Sequence, residues 1–227
     1  MKFFVGIDDS GRGPVIGPLV MAAVLANKNQ IKKLKELGVK DSKKLSKKSR
    51  ERLASEIKKI AQNYKIVKIL ASEIDEKASK KINLNIIEAH AASLLINALV
   101  KNLKRVTVIV DCPSANIKRW KRLLLKYVKE KEKLNLRCEH KADSNYVIVS
   151  AASIIAKVSR DREIEKIKRT FGVEFGSGYP SDPLCQEFLK TRKAEELAKK
   201  GLIRKSWITW QRQEKRNRQK KLTEFNS

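Results

Sequence analysis

Residues 3–13 read FFVGIDDSGRG, an apolar stretch that ends in two adjacent carboxylates and a turn bounded by glycines. The apolar side chains at positions 3, 5 and 7 alternate with those at 4, 6 and 8, which is the two-residue period of a β-strand. The segment predicts a central strand of a sheet, with Asp8 at its carboxyl end. Strand ends of this kind are common ligand positions in α/β proteins.

Asp9 departs from the pattern that places Asp8, because strict alternation directs the two side chains to opposite faces of the sheet. We expect a turn beginning at residue 9 to bring both carboxylates together. Gly11 and Gly13 permit such a turn and let backbone amides approach a phosphate closely, and Arg12 between them supplies a planar donor.

The rest of the chain alternates between strand and helix patterns, which indicates an α/β fold. Further strands are predicted at residues 15–26, 65–71, 106–112 and 135–140. Helices are predicted from Ser46 or Ser49 onward, at 83–103, 116–130 and 146–169, and at 183–200 and 206–221 near the end. A Gly- and Pro-rich loop, FGVEFGSGYPSDP, suggests two domains, with 1–172 as the main one and 173–227 as a helical, basic extension.

The charge balance points to a polyanionic partner. The chain carries 52 Lys and Arg against 25 Asp and Glu, a net charge of +27. Nucleic acid is the partner that fits this balance best, because each phosphate neutralised by Lys or Arg releases condensed counterions. An alternative cause is adaptation to high temperature or high intracellular salt, and both causes can hold together.

Other classes of protein fit the sequence poorly. The apolar stretch at 15–26 is too short to span a bilayer, and Asp8 and Asp9 interrupt what would be the apolar core of a signal peptide. We therefore expect a cytoplasmic protein without a membrane segment. The cysteines are odd in number and form no CxxC pair, which favours reduced, buried thiols.

Two further acids fall where a metal site could form. Asp111 ends the apolar run VTVIVD as Asp8 ends the first strand, and Asp143 precedes a long helix, where a helix N-cap is the alternative interpretation. Carboxylates without matching His or Cys favour hard cations such as Mg²⁺ or Mn²⁺. Together with polyanion binding, they suggest phosphodiester hydrolysis with two metal ions. His90 and His140 are interpreted as structural.

Several long segments resemble the type 2 ribonucleases H, in particular ribonuclease HII of the archaeal kind. They are GIDDSGRGPVIGPLV at 6–20, VKDSKKLS at 39–46, VIVDCPS at 108–114, HKADSNYVIVSAASIIAKVSRD at 140–161 and GSGYPSD at 176–182. The resemblance implies an RNase H-like mixed β-sheet flanked by helices, with residues 1–172 as the catalytic domain and a C-terminal helical extension.

The resemblance also implies a metal site for Mn²⁺ or Mg²⁺. It carries the four catalytic and metal-binding acids of the family onto Asp8, Asp9, Asp111 and Asp143. The family usually has Glu, in GIDEAGRG, where this chain has Asp9, so the shorter side chain leaves the metal geometry and the preferred ion open.

Substrate contacts follow from the same resemblance. Gly11, Arg12, Gly13 and Tyr179 resemble the device that recognises the ribose 2′-hydroxyl. Lys43 and Lys44 resemble phosphate contacts, with a solvated approach to a helix as an equal alternative.

The implied reaction is endonucleolytic cleavage on the 5′ side of a ribonucleotide, leaving a 3′-hydroxyl and a 5′-phosphate. The substrates would be RNA/DNA hybrids and duplex DNA with embedded ribonucleotides, and the task would be removal of misincorporated ribonucleotides and primer RNA. We expect a monomer, with a sliding-clamp partner left open. The rivals are a basic nucleic-acid-binding protein without activity, and another two-metal nuclease such as a junction resolvase or a transposase-like strand-transfer enzyme.

Overall fold

The computed structural model describes residues 2–39 and 46–225, with the backbone alone for residues 218 and 220–225. The strands are β1 (Phe3–Ser10), β2 (Leu19–Asn27), β3 (Asn63–Ile69), β4 (Val106–Asp111) and β5 (Leu134–Glu139). The helices as far as residue 171 are α1 (Lys28–Glu36), α2 (Lys47–Ile60), α3 (Ala71–Ser79), α4 (Leu84–Val100), α5 (Ile117–Tyr127), α6 (Ala142–Asn145) and α7 (Val147–Phe171). Three more follow, α8 (Pro183–Phe188), α9 (Arg192–Lys199) and α10 (Ile208–Phe225).

The five strands form one mixed sheet in the order β3-β2-β1-β4-β5. β1 lies in the centre, antiparallel to β2 and parallel to β4, and β4 is parallel to β5. This confirms the predicted α/β class and the mixed sheet flanked by helices. Ile7 pairs with Val110 at the end of the ladder between β1 and β4, so the next residues, Asp8 and Asp111, lie at the same level.

A close approach between β1 and the start of α7 depends on one glycine. A Cβ atom added to Gly6 would lie 2.2 Å from the carbonyl oxygen of Ile148, far inside van der Waals contact. Small side chains continue this contact along α7, where Ala151, Ala152 and Ala156 belong to the buried core shared with β2 and α2. The long helix can therefore pack against the sheet beside the end of β1.

The chain forms two compact units. The first comprises Met1–Ser10, Val20–Lys68 and Asn83–Arg160, and the second comprises Gly11–Leu19, Ile69–Ile82 and Asp161–Ser227. These units do not follow a single boundary near residue 172, because the loop after β1 and helix α3 group with the C-terminal helices. A division into folding domains at that point stays a prediction.

The structure corrects several predicted elements. The apolar run 15–26 is not one strand, since β2 begins at Leu19 and Gly17 has a φ of 86°. Two short helices in the Lys-rich and acidic stretches, α1 and α3, were missed, and the predicted helix at 183–200 is divided into α8 and α9. The N-cap at Ser46 is confirmed, with its side chain accepting from the amide of Ser49. In the described part of the chain, no helix combines the length and the apolar character needed to cross a bilayer.

Candidate active site

Three carboxylates converge at the carboxyl ends of β1 and β4. Asp8, Asp111 and Asp143 each place one oxygen within 4.8 Å of the others. Asp8 and Asp143 are buried, at 5% and 3% exposure, and Asp111 is half-buried. Burying acids side by side is costly unless a cation or hydrogen bonds compensate their charge. The cluster is therefore the first candidate for chemistry in the first unit.

Local backbone geometry explains how the three acids meet. Parallel pairing of β1 with β4 sets Asp8 beside Asp111. Asp143 comes from the short helix α6, which the chain enters through Lys141 in the left-handed conformation, at a φ of 57°. The amide of Ala142 donates to Asp111 Oδ1 at 2.9 Å, which ties the start of α6 to the end of β4. The N-cap position of α6 belongs to Lys141, so Asp143 is not the cap of this helix.

The electrostatics of the cluster favour a bound cation. Burial raises the pKa of Asp8 well above its ordinary value, and the neighbouring charges of Asp9 and Asp111 raise it further. Hydrogen bonds from the side chain of Ser153 and the amide of Asp9 act in the opposite direction. A divalent cation would compensate the buried negative charge, and carboxylate oxygens are the ligands that Mg²⁺ and Mn²⁺ prefer. The residues present therefore fit such an ion.

Asp9 is not part of the three-acid group. β1 continues as a regular strand through Ser10, with Asp9 paired to Met21, so the turn expected at residue 9 is wrong. The amide of Asp9 donates to Asp8 Oδ1 at 2.7 Å. Asp9 thus acts on Asp8 through its charge and its backbone, and a direct metal contact of its side chain stays a prediction.

Ser153 is a site residue that the sequence interpretation missed. It lies in α7 at 6% exposure, and its hydroxyl hydrogen-bonds to the carboxylate of Asp8. The available signal was a serine in the run SAAS of a helix otherwise expected to be apolar. Its role became visible only when the contact between Gly6 and Ile148 placed α7 beside β1.

Hydrogen bonding indicates the tautomer of His140, and burial keeps the thiols of two cysteines protonated. Nδ1 of His140 lies 3.2 Å from the carbonyl oxygen of Cys112, and since a carbonyl only accepts, this nitrogen carries the proton. Burial raises the pKa of the Cys138 and Cys185 thiols to about 12, so both stay protonated at neutral pH. The three cysteines are free and buried, as expected, and the structural role of His140 stays a prediction.

The predicted substrate residues meet in the second unit. Gly11 has a φ of 97°, and the ring of Tyr179 lies 3.4 Å from the position that a Cβ of Gly13 would take. The amide of Val15 donates to the carbonyl oxygen of Gly178 at 2.9 Å, which holds the loop of residues 11–17 against the loop that carries the tyrosine. The structure therefore brings Gly11, Arg12, Gly13 and Tyr179 together. Lys43 and Lys44 lie outside the described residues.

A basic cavity of about 450 Å³ lies between the first turn of α4 and one side of α5 in the first unit. Three cationic side chains line it, Arg119, Arg122 and Lys126, with amide and hydroxyl groups and no carboxylate among the lining residues. Ser114, another lining residue, follows the metal-ligand candidate Asp111 by three positions. The cavity is a second feature of this unit that suits an anionic ligand.

Comparisons with known proteins show the family of this chain. The family model for Ribonuclease HII matches residues 5–210. A Ribonuclease HII from Methanococcus maripaludis is 47% identical over 208 residues, which cover 92% of this chain and 85% of the relative. The crystal structure of the ribonuclease H2 from Pyrococcus horikoshii has a TM-score of 0.82 at 40% identity, covering 95% of this chain and 99% of that one.

A chain in the structure of the PCNA:RNase HII complex from Archaeoglobus fulgidus is similar at 40% identity, with a TM-score of 0.76. The match covers 90% of this chain and 95% of that chain. The family model and these relatives extend over the strands, the three-acid cluster and the glycine loop alike. The chain therefore belongs to the ribonuclease HII family, the type 2 ribonucleases H.

Proposed function

We propose that this protein hydrolyses the RNA strand of RNA/DNA hybrids and cleaves on the 5′ side of ribonucleotides embedded in duplex DNA, leaving a 3′-hydroxyl and a 5′-phosphate. The observation that carries the proposal is the buried group of Asp8, Asp111 and Asp143 with the raised pKa of Asp8. A group of acids with this excess of buried negative charge suits divalent cations, and the family membership supplies the class of substrate.

The metal ligands in this proposal are Asp8, Asp111 and Asp143, with Asp9 as a fourth acid. When bound, Mn²⁺ or Mg²⁺ ions activate the attacking water and stabilise the leaving oxygen. The protein orients the carboxylates that would bind the metal ions. The hydroxyl of Ser153 and the amide of Asp9 hold the Asp8 carboxylate, and the amide of Ala142 holds the Asp111 carboxylate.

Recognition of the ribonucleotide falls to the loop Gly11, Arg12, Gly13 and to Tyr179. The tyrosine ring lies 3.4 Å from the Cβ position of Gly13, at van der Waals distance from the loop, and this proximity supports the assignment. The 2′-hydroxyl is the group that distinguishes RNA from DNA, and it requires donors and acceptors held in a fixed place.

The high positive charge of the protein favours binding of the nucleic-acid duplex. The cavity lined by Arg119, Arg122 and Lys126 would hold backbone phosphates of the duplex, and Lys43 and Lys44 remain proposed phosphate contacts. Such contacts position the substrate without reading its sequence, which suits an enzyme that acts wherever a ribonucleotide occurs.

The proposed cellular task is removal of misincorporated ribonucleotides and of primer RNA, carried out in the cytoplasm by a monomer. A sliding clamp is a proposed partner, because the similar Archaeoglobus fulgidus protein has been solved in a PCNA:RNase HII complex. Size-exclusion chromatography of this protein with and without a clamp from an archaeal source tests both the monomer and the partner.

The test of activity compares four substrates: a duplex with one ribonucleotide, a long RNA/DNA hybrid, an all-DNA duplex and a branched all-DNA junction. Mn²⁺ and Mg²⁺ are titrated on each. We expect cleavage of the first two only, dependent on metal and abolished by Asp8→Asn or Asp111→Asn with binding retained. An intact ribonucleotide duplex in the presence of metal would refute the proposal, and cutting of the junction would favour a resolvase.

A further inference from the structure

The guanidinium of Arg204 is buried beneath the glycine loop. Its side chain is fully buried, at 0% exposure, and it donates three hydrogen bonds to backbone carbonyls of the second unit. Nη2 donates to Gly11 at 2.6 Å, Nη1 to Arg12 at 2.9 Å and Nε to Gly17 at 3.2 Å. Hydrogen bonds from an ionised donor are stronger than neutral ones, so this fork restrains both ends of the loop.

Trp207 extends the same arrangement to the next residue of the loop. Its indole Nε1 donates to the carbonyl oxygen of Gly13 at 3.2 Å, and its ring lies 4.8 Å from the guanidinium carbon of Arg204. Three successive carbonyls, those of Gly11, Arg12 and Gly13, therefore accept hydrogen bonds from one short C-terminal segment.

The segment that carries Arg204 and Trp207 is itself held in place. The amide of Arg204 donates to Val15 at 2.9 Å, and Ile203 forms an isolated β-bridge with Ile16. The carboxylate of Asp75 in α3 accepts from the amides of residues 205 and 206 and from the hydroxyl of residue 206, at 2.6–2.9 Å. These hydrogen bonds hold in place the segment whose Arg204 and Trp207 side chains donate to the loop.

Fixing these carbonyls also fixes the amides of the loop. In a planar trans peptide the N–H points away from the preceding C=O. With the carbonyls of Gly11 and Arg12 turned toward Arg204, the N–H groups of Arg12 and Gly13 are turned to the other side of the loop. On that side of the loop they can donate to a ribose hydroxyl or a phosphate of the substrate.

We infer that Arg204 is a positioning residue for ribonucleotide recognition, which orients the Gly11–Gly13 amides through the loop carbonyls, with Trp207 completing the set. The inference rests on the proposed function and adds a residue outside the glycine loop and Tyr179. Arg204 is buried, so it acts through the loop and not by contact with the substrate.

The test uses the full-length chain and four proteins: wild type, Arg204→Lys, Trp207→Phe and a control, Arg192→Lys, whose arginine is exposed in α9. Lysine keeps the charge but lacks the planar fork, and phenylalanine keeps a ring but lacks the indole donor. Cleavage of a duplex with one ribonucleotide is measured with Mn²⁺. Affinities for that duplex and for its all-DNA counterpart are measured in an Asp8→Asn background.

For Arg204→Lys we expect kcat/KM on the ribonucleotide duplex to fall by about 10- to 100-fold, the order that misplacement of a positioning group produces. The preference for the ribonucleotide duplex over all-DNA should shrink by a similar factor, while affinity for all-DNA stays within about twofold. Trp207→Phe should show a smaller loss, and Arg192→Lys none. Hydrogen exchange of the Val15 and Gly17 amides, which hydrogen-bond to Gly178 and Leu202, should accelerate in both loop-support variants.

If the wild type is active and both variants keep the preference for the ribonucleotide duplex and the rate of amide exchange, the role of Arg204 is overturned. The proposed function then still stands. An equal loss of affinity for both duplexes would also overturn it, since that marks general disruption. If Arg204→Lys does not fold, Trp207→Phe decides by the same two readouts. A wild type that binds both duplexes equally and cuts neither would overturn the proposed function, and this inference with it.

Discussion

Replacing Asp8 by Asn should stabilise the metal-free protein while abolishing its activity. The variant keeps the shape of the side chain, and the amide oxygen can still accept from Ser153 and from the backbone of Asp9. Asp111 and Asp143 each place an oxygen within 4.8 Å of the Asp8 carboxylate, and a neutral amide at position 8 does not repel them. The substitution therefore removes a buried charge without leaving a cavity.

The geometry of the cluster sets the magnitude. Two unit charges at 4.8 Å, the limit of separation among the three acids, repel by about 3 kcal/mol at an effective dielectric constant of about 20. Partial protonation of Asp8 relieves some of this energy, so we expect a gain of about 1–3 kcal/mol in the free energy of unfolding. For a chain of this length that corresponds to a rise of about 2–12 °C in melting temperature.

The gain should depend on pH in a defined direction. The pKa of Asp8 is raised above its ordinary value of 3.8 in the folded protein, so the folded state holds this proton more tightly than the unfolded state. The wild type therefore loses stability as the pH rises from about 3.8 through the raised pKa, and Asp8→Asn does not. The difference between the two proteins should be absent at the acid end and complete above the raised pKa.

Thermal unfolding followed by circular dichroism, in EDTA and in Mn²⁺, provides the measurement. Mn²⁺ at about 100 times its dissociation constant should stabilise the wild type by about 2.7 kcal/mol and the variant by much less. Glu51→Gln, which removes an exposed carboxylate in α2, serves as the control and should change little. A lower melting temperature for Asp8→Asn in EDTA at neutral pH, or equal stabilisation of both proteins by Mn²⁺, would refute the reasoning.

Three other perturbations test the fold and the duplex contacts. Gly6→Ala should lower the free energy of unfolding in urea by about 3 kcal/mol or more, because its Cβ would lie 2.2 Å from a backbone oxygen. The control Gly172→Ala lies in open space at a φ of 57° and should lower it by only about 1–2 kcal/mol. Equal losses in the two variants would contradict the close approach at Gly6. The double variant Arg119→Ala and Arg122→Ala should weaken binding to all duplexes alike and reduce the slope of log K against log salt by about 1–2. An unchanged slope would mean that the cavity does not bind phosphates of the duplex. Truncation after residue 211 retains the support of the glycine loop, so it should lower duplex affinity and flatten its salt dependence without lowering kcat; unchanged affinity would mean that the end of α10 does not bind the duplex.

The truncation point illustrates what the sequence left open about the C-terminal segment. Its basic composition is compatible both with binding to the duplex and with packing against the protein itself. A truncation after Gly201 would remove the whole segment at once. Arg204 and Trp207 hydrogen-bond to the glycine loop, so that cut would also disturb substrate recognition. The contacts join residues nearly 200 positions apart, and composition carries no information about such pairs.

Local patterns were sufficient for most of the elements. Alternation predicted β1, helical periodicity and a serine N-cap predicted α2, and the β-branched run ending at Asp111 predicted β4. They failed where a short stretch of sequence fits two kinds of local structure equally well. The apolar run 15–26 has no period that separates strand from irregular backbone, and only the contacts of Ile16 with Ile203 show that the strand begins at Leu19.

The acid pair shows the same division between sequence and structure. By itself, the sequence determined that Asp8 and Asp111 follow apolar strand segments, because strand period and apolar runs are local properties. It placed the end of β1 at Asp8, whereas the strand continues to Ser10. Tertiary structure decided the rest. Parallel register set the two acids level, a left-handed Lys141 aimed Asp143 at them, and the continuing ladder of β1 kept Asp9 out of the group. Each of these depends on contacts between distant segments, where the energy of packing and pairing overrides what a short stretch of chain prefers by itself.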